Sequence, residues 1–158
     1  MRIQIRPATP EDYGGLCTIL DEVDALHRDQ VPHIYHKPPG PVREPDYLLG
    51  VMADPDQGLY VAEAGQQIVA VLHVVIRDTP PVPLLVPRRF AVVDNLVVSG
   101  PFRRAGIGQA LMEQAYRWAA ARGATRIELT VYEFNKAAIA FYQSLGYRIL
   151  SHRMAKSL

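Results

Sequence analysis

The stretch Val98–Gly108, VSGPFRRAGIG, decides how this chain is read. A β-branched run, Val92–Val98, leads into it, and an amphipathic segment, Ile107–Arg122, leads out. The apolar stripe of that segment, Ile107, Leu111, Ala115 and Trp118, has helical spacing, and Gly123 suits its C-terminal cap. A strand that ends in an Arg/Gly loop and opens a helix makes a cradle for an anion. The free N–H groups of the first helical turn point into the loop, and the helix dipole adds positive potential. Gly106 and Gly108 have no Cβ, so a phosphate can approach the backbone there. No Gly-Lys-Ser/Thr follows, which excludes a nucleotide P-loop. The first glycine of a dinucleotide fingerprint is also missing.

Around this stretch the chain reads as an ordinary globular protein. Its 158 residues suffice for one domain, 1–158, with a substantial core. Hydrophobic residues make up 49% and charged residues 21%, and the formal net charge of +1 gives no basis for nucleic-acid or membrane binding. No apolar run has the length of a membrane span, and the N-terminus lacks the apolar core of a signal peptide. One cysteine, Cys17, excludes an internal disulfide framework and reads as a buried small hydrophobe. A cytoplasmic location is the expectation.

Ile3–Arg6 alternates and reads as a short strand. Thr9-Pro10-Glu11-Asp12 has the marks of a helix start, which predicts a helix from about Pro10 to His27. Gln30–Pro45 is a sixteen-residue loop with five prolines. A short helix, Asp46–Ala53, follows. Leu59–Ala64 and Gln67–Ile76 read as strands joined at Gly65-Gln66. A second proline-rich loop, Asp78–Arg89, precedes the strand that ends at Val98. Beyond Gly123 the pattern predicts a strand at Arg126–Val131, a helix at Asn135–Leu145 and a last strand at Tyr147–Met154. Alternation of strands and helices argues for one α/β sheet with helices on its faces.

Two blocks together carry a family resemblance. Arg103-Arg104-Ala105-Gly106-Ile107-Gly108 resembles the acyl-CoA pyrophosphate loop of the GNAT superfamily of N-acetyltransferases, Gln/Arg-x-x-Gly-x-Gly/Ala. Asn135-x-x-Ala138-x-x-Phe141-Tyr142-x-x-x-Gly146-Tyr147 resembles the family's following block, and Ile5-Arg6-Pro7-Ala8-Thr9 is a common opening. The resemblance implies a bent mixed sheet with helices on both faces. Two splayed central parallel strands, here Ala91–Val98 and Arg126–Val131, would grip the pantetheine arm of acetyl-CoA. It implies that the backbone of Leu96, Val97 and Val98 binds that arm like an added strand. Arg103, Arg104, Ala105, Gly106, Ile107 and Gly108 would then hold the pyrophosphate.

The activity implied is transfer of an acetyl group to an amine. Tyr142 is the candidate general acid for the departing thiolate, a role placed there by the family match; on pattern alone it reads first as a core or sheet-packing tyrosine. Asn135 lies two helical turns before Tyr142, so both face one way; it reads as a cofactor contact or as a helix N-cap. Asp94 is the candidate base. Four residues before Val98, it is expected to share a strand face with Leu96 and Val98. Its alternative is a carboxylate that satisfies loop backbone or an arginine. Glu63 and Glu133 are weaker candidates for the same role. His27, His33 and His36 gather near the first long loop, but no cysteine pair or H-E-x-x-H spacing accompanies them, and no metal is expected. Both long loops are expected to shape the acceptor pocket, for a small-molecule amine or a peptide amine. A homodimer is compatible with the family. A catalytically silent acyl-CoA-binding regulatory module is the alternative reading.

Overall fold

Alternation and turn chemistry build the sheet. The computed structural model describes residues 2–158. Strand β1 (Ile3–Pro7) is followed by a 3-10 turn at Pro10–Asp12 and helix α1 (Tyr13–Gln30). Helix α2 (Pro45–Ala53) and strands β2 (Gln57–Ala64), β3 (Gln67–Asp78) and β4 (Arg89–Val98) come next. Helix α3 (Ile107–Ala121), strand β5 (Ile127–Leu129) and helix α4 (Lys136–Ser144) complete the order. The sheet runs β1-β2-β3-β4-β5. β1 to β4 pair antiparallel, and β4 pairs β5 in parallel. The predicted hairpin at Gly65-Gln66 is present, with Ala64 opposite Gln67.

Each sheet face buries its own cluster. On one face Ala70, Leu72, Val74, Ala91 and Val93 meet Leu111, Met112, Ala115 and Trp118 of α3, with Phe141 and Tyr142 of α4 packed alongside. On the other, Val61, Val71 and Val97 lie beneath Leu16, Ile19 and Leu20 of α1 and Leu48 and Val51 of α2. Cys17, expected to be buried, is half-buried, because it points to the side of α1 rather than into the stripe of Leu16, Ile19 and Leu20.

The predicted strand Tyr147–Met154 does not form; Tyr147–Leu158 has no regular secondary structure. Neither face of that segment is consistently apolar. Tyr147 and Ile149 share a face with Ser151 and Arg153, while Leu150 shares the other with Arg148 and His152. Ile149, Leu150 and Met154 are accordingly exposed. The parallel pair therefore stands at the edge of the sheet among the described residues, and β5 is shorter than the segment Arg126–Val131 that the sequence predicts.

Polar contacts pin the start of the chain. The Arg6 guanidinium donates to both oxygens of Asp12, at 2.7 and 2.9 Å, and its Nε donates to Glu63 at 2.8 Å. Asp12 also accepts from the Thr9 N–H at 2.8 Å, which closes the turn before α1. The Arg6 hydrogen bonds hold the Asp12 carboxyl below the usual carboxylate range. That stabilisation is present at neutral pH and is lost as acid protonates Asp12. Arg6→Ala is expected to lower stability by about 1–2 kcal/mol at neutral pH. Denaturant unfolding at successively lower pH checks the sign: the gap to wild type should narrow once Asp12 is protonated in both.

Candidate active site

The loop that opens α3 is built from two left-handed residues. Arg104 has φ 61° and Gly106 has φ 79°. They curl the backbone so that α3 begins at Ile107 with Gly106 as its N-cap and no side-chain cap. The first intrahelical bond is Ala110 N–H to Gly106 O, at 3.0 Å. The N–H groups of Ile107, Gly108 and Gln109 are thus left without intrahelical partners at the positive end of a fifteen-residue helix. Successive N–H groups around a left-handed turn form an anion-binding concavity. Gly108 is where α3 meets α4: a Cβ built on it would lie 3.2 Å from Cζ of Phe141. These features fit a pyrophosphate. Arg104 is exposed beside the loop. Arg103 is partly engaged, since its Nε donates to Val98 O at 2.9 Å and its guanidinium lies 3.7 Å from Glu22. Glu22 of α1 also accepts from the Ser99 hydroxyl at 2.8 Å, tying α1 to the loop.

Next to this loop the sheet opens. β4 pairs β5 only at Ala91, Val92 and Val93, although β4 continues to Val98. From Asp94 onward, the side of β4 away from β3 has no strand neighbour among the described residues. The backbone of Leu96 and Val97 borders that gap, while the carbonyl of Val98 is held by Arg103.

α4 packs on the α3 side of the sheet through Phe141 and Tyr142. Asn135 Oδ1 accepts from Ala138 N–H at 3.2 Å, so this residue caps the helix. Tyr142, two turns further on, is packed by Phe141 and Tyr147, with ring centroids 5.2 and 5.4 Å away. Burial, with a smaller contribution from Tyr116, pushes its phenol up to about 12. Tyr142 is therefore a protonated donor throughout the neutral range.

Asp94 does not share a face with Leu96 and Val98. His73 pairs with Asn95 while Val74 pairs with Val93, so Asp94 is the extra residue of a β-bulge. The bulge reverses the alternation. Leu96 and Val98 pack on the α3 side, whereas Asp94 reaches His73, with Oδ2 4.0 Å from Nδ1. His73 lies opposite Leu59 on the face that carries Val71, beneath α1. It is 6% exposed, and its Nε2 lies 2.8 Å from Oε1 of Gln57. Burial lowers its pKa, and the Asp94 charge opposes that shift. Sequence reasoning passed over His73 and Gln57. The signal for His73 was a lone polar residue within the apolar run Ile68–Ile76.

The other candidates disperse. Glu63 is taken by Arg6 and stands in the β1–β2 pair, away from the gap. Glu133 is exposed in the turn before α4. His33 and His36 are exposed, and no set of three His, Cys, Asp or Glu that could hold a metal occurs among the described residues. His27 joins an aromatic group instead. It stacks on Tyr35 at 5.2 Å and approaches Tyr132 at 5.3 Å, and the Tyr35 and Tyr132 hydroxyls are 2.9 Å apart. The first long loop is thereby fastened to the segment between β5 and α4.

Comparison with known proteins agrees with this geometry. A family model described as Acetyltransferase (GNAT) family matches residues 20–147. An uncharacterized N-acetyltransferase of Methanocaldococcus jannaschii is 33% identical over 101 residues, 64% of this chain and 43% of that protein. N-acetyltransferase family 8 member 3 of Rattus norvegicus is 33% identical over 89 residues, 56% of this chain and 37% of that protein. The chain thus covers less than half the length of these curated relatives. Among solved structures, a mutant protein of Bacillus halodurans superposes with a TM-score of 0.92 at 28% identity, over 98% of this chain and 99% of that one. No helix among the described residues is long and apolar enough to cross a membrane.

Proposed function

Because the chain belongs to the acetyltransferase (GNAT) family, we propose that it transfers an acetyl group from acetyl-CoA directly to a primary amine within a ternary complex. The observation that carries this reading is the parting of β4 from β5 after Val93, beside the uncapped N-terminus of α3. An extended, amide-bearing arm fits the gap, with Leu96 and Val97 offering backbone groups along one side. Ala105, Gly106, Ile107 and Gly108 would receive the pyrophosphate, assisted by Arg103 and Arg104. Residues 1–158 are taken to act as one domain in the cytoplasm.

The chemistry needs a neutral amine and a stabilised leaving sulfur. A lysine-like amine is neutral in only about one molecule in a few thousand at pH 7, and an α-amine in roughly one in ten. Asp94, 39% exposed at the bulge, is accessible to draw a proton from the acceptor nitrogen. The phenol of Tyr142 stands well above a thiol of about 8.5. Its contribution is therefore a hydrogen bond to the sulfur that strengthens as the carbon–sulfur bond breaks, with the proton following. The acceptor nitrogen gives up two protons overall. One leaves through Asp94, and the other replaces the proton that Tyr142 hands to sulfur.

The acceptor is a small-molecule amine or a peptide amine, bordered by the two long loops. Release of free CoA from acetyl-CoA across a panel of amines, amino acids and peptide N-termini tests the reading. Turnover confined to one class would name the acceptor. Silence across the panel, with acetyl-CoA still bound, would replace catalysis by acyl-CoA binding alone.

A further inference from the structure

We propose that His73 and Asp94 act as one base, in which the buried imidazole holds the proton that the exposed carboxylate takes from the acceptor amine. The proposal rests on the reading of Asp94 as the base.

The hydrogen-bond chain behind His73 fixes its tautomer. The Asp54 carboxylate can only accept, so Gln57 turns its NH₂ toward it, with Nε2 to Oδ2 at 3.1 Å. That leaves Oε1 of Gln57 facing His73 Nε2 at 2.8 Å. An amide oxygen also only accepts, so His73 Nε2 carries the hydrogen. In the neutral ring Nδ1 is then a bare lone pair, and Nδ1 is the atom that faces Asp94 at 4.0 Å. A lone pair opposite a carboxylate is a site for one proton. At 4.0 Å the contact is electrostatic, and a swing of about 1 Å by the half-exposed Asp94 side chain makes it a hydrogen bond.

The pairing changes what the base can hold. An ordinary carboxylate carries a proton in only about one molecule in a thousand at pH 7 and an ordinary imidazole in about one in four, a share that burial reduces at His73. The proton moves from the acceptor nitrogen to Asp94 Oδ2 and on to His73 Nδ1. Only N–H and O–H bonds change, and the carboxylate is restored beside an imidazolium that still donates to Gln57. Burial and the charges of Arg43, from the loop before α2, and Arg77 of β3 oppose that protonation, and Asp94 favours it. Arg43 is itself paired with Asp24 at 2.7 Å.

Nitrogen-15 NMR of the full chain tests the pair without turnover. The signal lost among the five histidines in His73→Gln assigns the residue. At neutral pH it should be the Nε2–H tautomer, and Gln57→Leu should admit the Nδ1–H form. Asp94→Asn should lower the titration point of His73 by about one pH unit. In kinetics, the ratio of wild-type to His73→Gln rates cancels the acceptor's own ionisation. It should be about tenfold at neutral pH and fall toward one in acid, where the pair is already protonated. Gln57→Leu, which keeps His73 in place, should show the same trend at smaller amplitude. An Nδ1–H tautomer in the wild type, a titration indifferent to Asp94→Asn, or a ratio that does not change with pH would each overturn the pair while leaving the acetyltransferase reading intact. Absence of turnover on any amine would instead overturn that reading, and with it the catalytic role proposed here.

Discussion

Tyr142→Phe is expected to lower kcat by about a hundredfold while the affinity for acetyl-CoA stays within about twofold. Phenylalanine keeps the ring contacts to Phe141 and Tyr147, at 5.2 and 5.4 Å, and removes only the hydroxyl. A loss confined to kcat would therefore be traced to the hydroxyl, not to the packing of α4. Steady-state kinetics paired with calorimetric titration of acetyl-CoA separates the two. A second signature lies in pH. The Tyr142 phenol is pushed up to about 12, so the wild type should keep its proton donor through the range where an ordinary tyrosine, near 10, begins to ionise. An unchanged kcat in the variant would remove Tyr142 from the chemistry and leave it a packing residue.

Gly108→Val should weaken acetyl-CoA binding more than tenfold and lower the melting temperature by several degrees. A Cβ on Gly108 meets the Phe141 ring at 3.2 and 3.3 Å, and the two γ-methyls of valine add bulk beyond it. Overpacking of this kind costs about 1–3 kcal/mol, which for a chain of this size is roughly 2–4 °C for each kcal/mol. The binding loss is separate. Pushing α3 from α4 turns the free N–H groups of Ile107, Gly108 and Gln109 away from the place where an anion would sit. Calorimetry and thermal unfolding on one preparation measure both effects. Destabilisation with undiminished affinity would mean that the cradle is not where the cofactor is held.

Much of the α3 face was legible in the sequence, because its signals are local. The Arg103–Gly108 loop, the stripe of Ile107, Leu111, Ala115 and Trp118, and the hairpin at Gly65-Gln66 each declare themselves within a few residues. What escaped depends on partners far along the chain. The bulge at Asp94 is visible only through the register with His73 and Val74, and it reversed the face expected for the carboxylate. Tyr35 meets Tyr132 across 97 residues, which no periodicity records. The last strand failed for a different reason: Tyr147–Met154 has strand-forming residues but no face apolar enough to bury.

The sheet also works as a partition. With α3 and α4 on one side and α1 and α2 on the other, side chains of the two clusters are separated by the thickness of the strands. Substitutions more than about 7–10 Å apart, with no shared partners, usually combine additively. Substitutions within the α1–α2 cluster are therefore expected to leave the packing of the α3–α4 face unchanged. The exceptions are Glu22 and Tyr35, whose side chains reach across the rim to Ser99 and Tyr132, and Arg43, whose charge acts on His73.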